Sequence, residues 1–169
     1  GRGLPLDTIR MLRARTVTGF TGDRKLLAGV HLTLHDEDSM IRIDGVEGQF
    51  DASARRAQLA GDVVIASGDG VRLKTGTLFY DSDRDMLFTA DDVFFTSGAV
   101  EGRGRGLNYL VGEKQIKIPD RVQLSVRDGA AGPPIAITSG DLVAALRSNA
   151  VVFTGDVRLE RRGDVLYGN

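Results

Sequence analysis

Cysteine and tryptophan are missing from this chain of 169 residues, and only four prolines occur in it. Without cysteine there is no disulfide, no thiol nucleophile and no cysteine-based zinc site. Aromatic residues make up 6% of the chain. Neither sign of charge dominates: 22 lysines and arginines interleave with 23 acidic residues, for a formal net charge of −1. A broad basic surface for nucleic acid is therefore not favoured. No apolar run approaches the ~18 residues of a transmembrane helix, and no signal peptide is visible at the start. Gly1-Arg2-Gly3 lacks an initiator Met, which favours a mature or trimmed sequence over a cytosolic one.

What the chain has in quantity is glycine, 22 residues of it, together with an ordinary globular apolar content of 41%. Glycine without proline and without a collagen period points to tight turns. The length is enough for one domain with a real core, or two small ones. Residues 4–15, LPLDTIRMLRAR, carry the one helix-like spacing, with Leu6, Ile9 and Leu12 three apart. From Thr16 onward the period is two: Val30-His31-Leu32-Thr33-Leu34, Ile41-Arg42-Ile43, Val71-Arg72-Leu73-Lys74, Ile116-Lys117-Ile118 and Val122-Gln123-Leu124-Ser125-Val126 all alternate. Short runs of this kind, separated by Gly-Asp and Asp-Gly pairs, predict an all-β fold with one buried and one wet face per strand. Many of those pairs should be hairpin or corner turns. Gly129-Ala130-Ala131-Gly132-Pro133-Pro134 is the best candidate for a long loop, because consecutive prolines exclude a central strand.

The stretch 59–80, LAGDVVIASGDGVRLKTGTLFY, has an internal echo. Gly61-Asp62-Val63 returns ninety-four residues later as Gly155-Asp156-Val157, again between an apolar run and an alternating one. Repeated units that cannot close a core alone suggest stacking.

Chemistry-bearing constellations are thin. His31 and His35 share a strand face beside Asp36-Glu37-Asp38, but no third well-spaced metal ligand follows. Asp81-Ser82-Asp83-Arg84-Asp85 imitates the start of a calcium loop, yet Met86 stands where glycine and Asp92 where glutamate is needed. It reads as a polar turn. Gly102-Arg103-Gly104-Arg105-Gly106 invites a phosphate-binding reading, but Leu107-Asn108-Tyr109 continues as strand rather than helix. A flexible turn or bulged strand is the plainer reading, with the arginines as candidate partners of a lipid phosphate. No serine–histidine–aspartate arrangement has a recognisable context. No enzyme activity, cofactor or metal is expected.

Two segments carry a family resemblance. GDVVIASGDGVRLKTGTLFYD (61–81), LFTADDVFF (87–95) and VEGRGRGLNYLVGEKQIKI (100–118), with the lead-in GVEGQFDASARRAQLA (45–60), resemble the periplasmic lipopolysaccharide-transport proteins of the LptC type. PIAITSGDLVAALRSNAVVFTGDVRLERRGD (134–164) resembles the opening unit of the related LptA/OstA repeat. The resemblance implies an elongated, twisted, antiparallel β-jellyroll, a "β-taco" with an apolar interior groove. It divides the chain into a linker or leader (1–15), an LptC-like jellyroll (16–127), a Gly/Pro loop (128–134) and the truncated start of a second OstA-like unit (135–169). An extended or fused member trimmed at both ends is expected, tethered to the inner membrane by an N-terminal helix absent from this sequence.

Alternation directs Val63, Ile65, Val71, Leu73, Leu78, Tyr80, Phe88, Val93, Phe95, Leu107, Tyr109, Ile116 and Ile118 to one interior. What the resemblance adds is that acyl chains of lipopolysaccharide would lie against them. It implies a non-enzymatic carrier in the inner-to-outer membrane bridge. Its partners would be the inner-membrane lipopolysaccharide ABC transporter at one end and an LptA-like protein, joined by edge-strand pairing, at the other. Val151, Phe153, Val157 and Leu159 are the candidate docking edge. The rival readings are a β-solenoid or filament module with no lipid, and a metal-dependent β-barrel enzyme that would need His31 and His35 to face inward with a third ligand.

Overall fold

The computed structural model describes residues 9–21, 24–36, 39–68, 70–127, 129, 133–161 and 164–168. Its regular elements are all strands: β1 (Ile9–Thr21), β2 (Arg24–Asp36), β3 (Ser39–Asp51), β4 (Arg56–Ser67), β5 (Val71–Asp81), β6 (Met86–Ser97) and β7 (Val100–Leu110). Shorter ones follow: β8 (Gln115–Ile118), β9 (Asp120–Val126), β10 (Ile135–Ser139), β11 (Asp141–Ala145), β12 (Ala150–Thr154), β13 (Val157–Arg161) and β14 (Asp164–Gly168). Among the described residues no helix is long and apolar enough to cross a membrane. The chain forms two compact units, Gly1–Asp85 and Met86–Asn169.

The first unit is an antiparallel meander in which β1 to β5 pair in chain order. The helix-like spacing at 4–15 does not survive. Residues 4–8 lie outside the described residues, and Ile9–Thr21 pairs with β2 along its length. A weak three-residue periodicity loses to a full ladder of backbone hydrogen bonds with a neighbour.

These strands are far longer than the short alternating runs suggest, and a slip in three of the four pairings shows why. The register shifts between Asp44 and Glu47 where β3 meets β4, and between Ala60 and Val63 where β4 meets β5. Buried positions change phase at the same level: Leu27 gives way to Val30 on β2, Ile43 to Gly48 on β3, and Thr75 to Leu78 on β5. A strict period of two would have put one half of each strand's apolar set on the wet face. The bulge resets the alternation and bends the strand. Each long strand is thus two limbs joined at a corner. Side chains on both limbs of β4 and β5 are shut off from solvent, with Leu59, Val63 and Leu78 at 0% exposure. One open sheet face cannot bury its side chains this way, so the bend turns the limbs' apolar faces toward each other.

The corner has a defined backbone. Gly61 and Asp62 take φ of +80° and +44°, inside β4 rather than between strands. Gly155 and Asp156 take +79° and +48° between β12 and β13. The sequence echo is therefore a structural one, and these Gly-Asp pairs are corners rather than hairpin turns. The pairs at 22–23, 68–69 and 163–164 fall wholly or partly outside the described residues.

In the second unit the two limbs go separate ways. Met86–Thr89 of β6 pairs with Leu107–Leu110 of β7, followed by β8, β11 and β12. Asp92–Ser97 pairs with Val100–Arg105, followed by β9, β10, β13 and β14. Pro119 separates β8 from β9, as expected of a residue that cannot donate to a ladder. At the next corner the Gly140 amide donates to the Gly155 carbonyl at 2.6 Å.

The turns repeat too. Arg55, Asp85, Lys114 and Asn149 each take positive φ at the last place of a four-residue turn, spaced about thirty residues apart. The ninety-four-residue echo therefore spans three hairpins of a shorter repeat. Asp51 and Asp81 open two of these turns. Each accepts backbone N–H bonds, Asp51 from Ser53 and Ala54, and Asp81 from Asp83 and Arg84, at 3.1–3.3 Å.

Candidate functional site: an apolar interior in each unit

Alternation and the corner bulge together decide which side chains face inward. In the first unit Val63, Ile65, Leu73, Leu78 and Tyr80 are buried, none more than 4% exposed, and Val71 is half-buried at the start of β5. In the second, Val93, Leu107, Tyr109, Ile116 and Ile118 are buried, and Phe95 is half-buried. Phe88 is displaced from this set. Leu87 at 0% and Thr89 at 6% occupy the buried face of β6, so Phe88 between them points the other way. Leu59 and Ile43, both at 0%, were also missed as interior residues. The signal for them was present, since each alternates with its neighbours up to the corner.

Two glycines of the 102–106 motif shape the second interior. The motif lies within β7, not in a turn. A Cβ on Gly104 would fall 2.3 Å from Ile118 Cγ2, and one on Gly102 2.5 Å from Leu124 Cδ2 and 2.6 Å from the Gln123 carbonyl oxygen. The absent side chains make room for Ile118 and Leu124, so the arginines between them project from the opposite face and are exposed.

Polar groups keep to the margins. The Thr89 hydroxyl accepts the Asp91 amide at 3.1 Å beside the corner. The Ser139 hydroxyl donates to the Asp141 carbonyl at 2.8 Å. Buried Asp81 sits at a strand end, 3.4 Å from Arg56 and 3.9 Å from Arg84. Tyr80 turns its hydroxyl outward to Asp85 at 2.7 Å. The buried cation, Lys114, also belongs to a turn. Between the corner and these turns the walls are chiefly Val, Leu and Ile, with Tyr80 and Tyr109 among them.

Of the candidate histidine cluster, Glu37 and Asp38 lie outside the described residues. His31 is exposed and bonds Asp44 across the β2–β3 pair. Among the described residues no group of three histidine, aspartate or glutamate side chains is placed to hold a metal ion. The calcium-like stretch 81–85 is the end of β5 and a turn, with Asp81 committed to backbone amides.

The candidate docking edge divides. β12, with Val151 and Phe153, pairs with β11 alone among the described strands, and Val151 and Val152 are 49% and 56% exposed. β13 lies between β10 and β14, so Val157 and Leu159 are half-buried in the sheet and do not form an edge. Beyond them β14 is the outer strand, with Leu166 at 68% and Tyr167 at 75% exposure.

No curated protein matches the chain. Among solved structures, the crystal structure of LptH matches with a TM-score of 0.56 at 14% sequence identity, covering 76% of this chain and 94% of that one. LptH is the LptA-homologous periplasmic component of the lipopolysaccharide transport device of Pseudomonas aeruginosa. At that identity the likeness establishes the LptA-like jellyroll fold. The family model for lipopolysaccharide assembly, LptC-related, matches residues 9–127, and the chain belongs to that family.

Proposed function

We propose that this chain is a non-enzymatic carrier that holds the acyl chains of lipopolysaccharide in its apolar interior and leaves the saccharide outside. Family membership gives the coarser role, in lipopolysaccharide transport across the periplasm. The observation that carries the finer one is the distribution of polarity. Each unit's interior is walled mainly by aliphatic side chains, with one buried tyrosine in each, and among the described residues the buried charges, Asp81 and Lys114, stand in or at the turns.

In this structure side chains fill the interior, with Leu59, Val63 and Leu78 fully shut off. An acyl chain enters by parting the limbs and exchanging side-chain contacts for its own. Each methylene it buries is worth about 0.8 kcal/mol, which offsets the contacts given up. Such an exchange has no preferred register along the walls, which suits sliding better than a fixed pocket. The walls that would touch lipid are those of Val63, Ile65, Leu73 and Leu78 in the first unit and Val93, Leu107, Ile116 and Ile118 in the second. Tyr80 and Tyr109 are buried beside them, while Val71 and Phe95 stand at strand ends.

The partners follow from the same reading. One end docks on the inner-membrane ABC transporter, beside an N-terminal membrane helix that tethers the protein. The β12 edge adds a strand from an LptA-like bridge protein, since an open strand is a template for such pairing. The exposed Val151 and Val152 also favour a second reading, end-to-end self-assembly without lipid.

A fluorescent fatty acid bound to the purified protein separates the two. Displacement of the probe by lipopolysaccharide, saturating at a fixed stoichiometry, supports carriage. A protein that polymerises readily and never takes up the probe overturns it.

A further inference from the structure

The second unit's outer face carries a row of side chains that the acyl-binding interior does not use. Cross-strand pairing sets Phe94 on β6 against Arg103 on β7, Arg103 against Gln123 on β9, and Gln123 against Thr138 on β10. Thr138 faces Arg158 on β13, and Arg158 faces Tyr167 on β14. All six are exposed, while their neighbours in the sheet at Val93, Gly104, Leu124 and Ile137 are buried. The row therefore runs straight across six adjacent strands on the side away from the interior. At ~4.8 Å per strand it is about 24 Å long.

Its chemistry is ordered. An aromatic ring stands at each end, Phe94 at 52% and Tyr167 at 75% exposure. Planar polar groups lie between. Arg103 Nε donates to Gln123 Oε1 at 2.9 Å, which joins two members of the row. The Arg158 guanidinium lies 5.6 Å from the centre of the Tyr167 ring and 3.4 Å from Glu160. The neighbouring rows mix signs: Glu101 and Glu160 on one side, and Asp92, Arg105 and Asp120 on the other. A simple anion would meet the carboxylates of Glu101, Glu160, Asp92 and Asp120 as well as the guanidinium groups of Arg103, Arg105 and Arg158. Hydroxyl-rich rings meet both donors and acceptors, with ring faces at the ends for their apolar C–H edges.

We propose that this row binds the saccharide portion of the lipid whose acyl chains the interior holds. The proposal rests on the carrier reading for its ligand and adds a site to it. It also gives the Gly-Arg-Gly-Arg-Gly motif a single logic. The glycines admit Ile118 and Leu124 on the inner side, and Arg103 serves the outer one.

The test titrates the intact chain with the soluble oligosaccharide released from lipopolysaccharide by mild acid, following backbone and side-chain NMR signals. Shifts confined to the six-residue row support the proposal, as does about a tenfold weakening in each of Arg103→Ala and Tyr167→Ala, with Lys117→Ala on the other limb unchanged. Shifts scattered over the surface, unchanged affinity in both row variants, or full displacement by equimolar inorganic phosphate overturn it. Should lipopolysaccharide displace the fatty-acid probe while the oligosaccharide leaves the row unmoved, this proposal falls and the carrier reading stands. Should the probe never bind, the carrier reading itself falls.

Discussion

Replacing Gly61 by alanine tests whether the corner makes the interior. Gly61 holds φ at +80°, and a Cβ there would sit 2.8 Å from Val46 Cβ and 3.1 Å from Val46 Cγ2. Two costs add. An L-residue in left-handed backbone costs about 1–2 kcal/mol, of which roughly 0.4–1 kcal/mol is returned because alanine stiffens the unfolded chain. Contact with a β-branched neighbour that cannot swing clear adds about 1–3 kcal/mol. Gly70 is the internal control, since it holds φ at +88° with nothing within 4 Å of its would-be Cβ. Gly70→Ala should therefore cost about 1 kcal/mol and Gly61→Ala about 2–4 kcal/mol in urea denaturation followed by circular dichroism. Val46 is 62% exposed, so Val46→Ala alone should cost about 0.5 kcal/mol or less. Alanine at 46 keeps the Cβ that lies 2.8 Å away, so Gly61→Ala with Val46→Ala should recover little, whereas Gly61→Ala with Val46→Gly removes it and should show about 1–2 kcal/mol of favourable coupling. Equal losses at Gly61 and Gly70, or no coupling with Val46→Gly, would refute the close-packed corner.

Three further outcomes are expected. Leu78→Ala should destabilise by about 2–5 kcal/mol because Leu78 has no exposure, while Leu166→Ala, at 68% exposure, should stay within about 0.5 kcal/mol. At the β5 turn, Asp81→Asn keeps the oxygen that accepts the Asp83 and Arg84 amides; thermal denaturation should place Asp81→Ala about 1–2 kcal/mol below it. Val152→Lys puts a charge beside the open β12 edge, and should abolish co-purification of an LptA-like bridge protein without moving the urea midpoint.

The β class, the wet and dry faces and most interior positions were legible in the sequence because period-two alternation states them directly. Strand length was not. At Ala60–Val63 and Thr75–Leu78 the alternation breaks, and a break in alternation looks the same whether a strand ends or bends. Leu87 was passed over for Phe88 for a related reason: with Leu87-Phe88 adjacent, only the pairing with Tyr109 and Asn108 fixes which one faces inward. The status of Val157 and Leu159 depended on a partner strand, β14, whose five residues carry too little pattern to announce it. The Gly-Asp echo was visible, but its meaning as a shared corner needed the matching φ values at Gly61 and Gly155. The outer row from Phe94 to Tyr167 was invisible for the strongest reason. Its six residues come from six strands, and only the register aligns them.

The carrier reading turns on which face of a strand meets lipid, and adjacent residues of β5 offer the most direct measurement. Leu73 is 1% exposed toward the interior, and Lys74 beside it is exposed on the outer face. A photo-reactive residue placed at each position in turn, irradiated in cells that make lipopolysaccharide, reports contact at either face. Carriage in the interior requires strong lipopolysaccharide capture from position 73 and little from position 74. Equal capture from both, or capture from 74 alone, would contradict it.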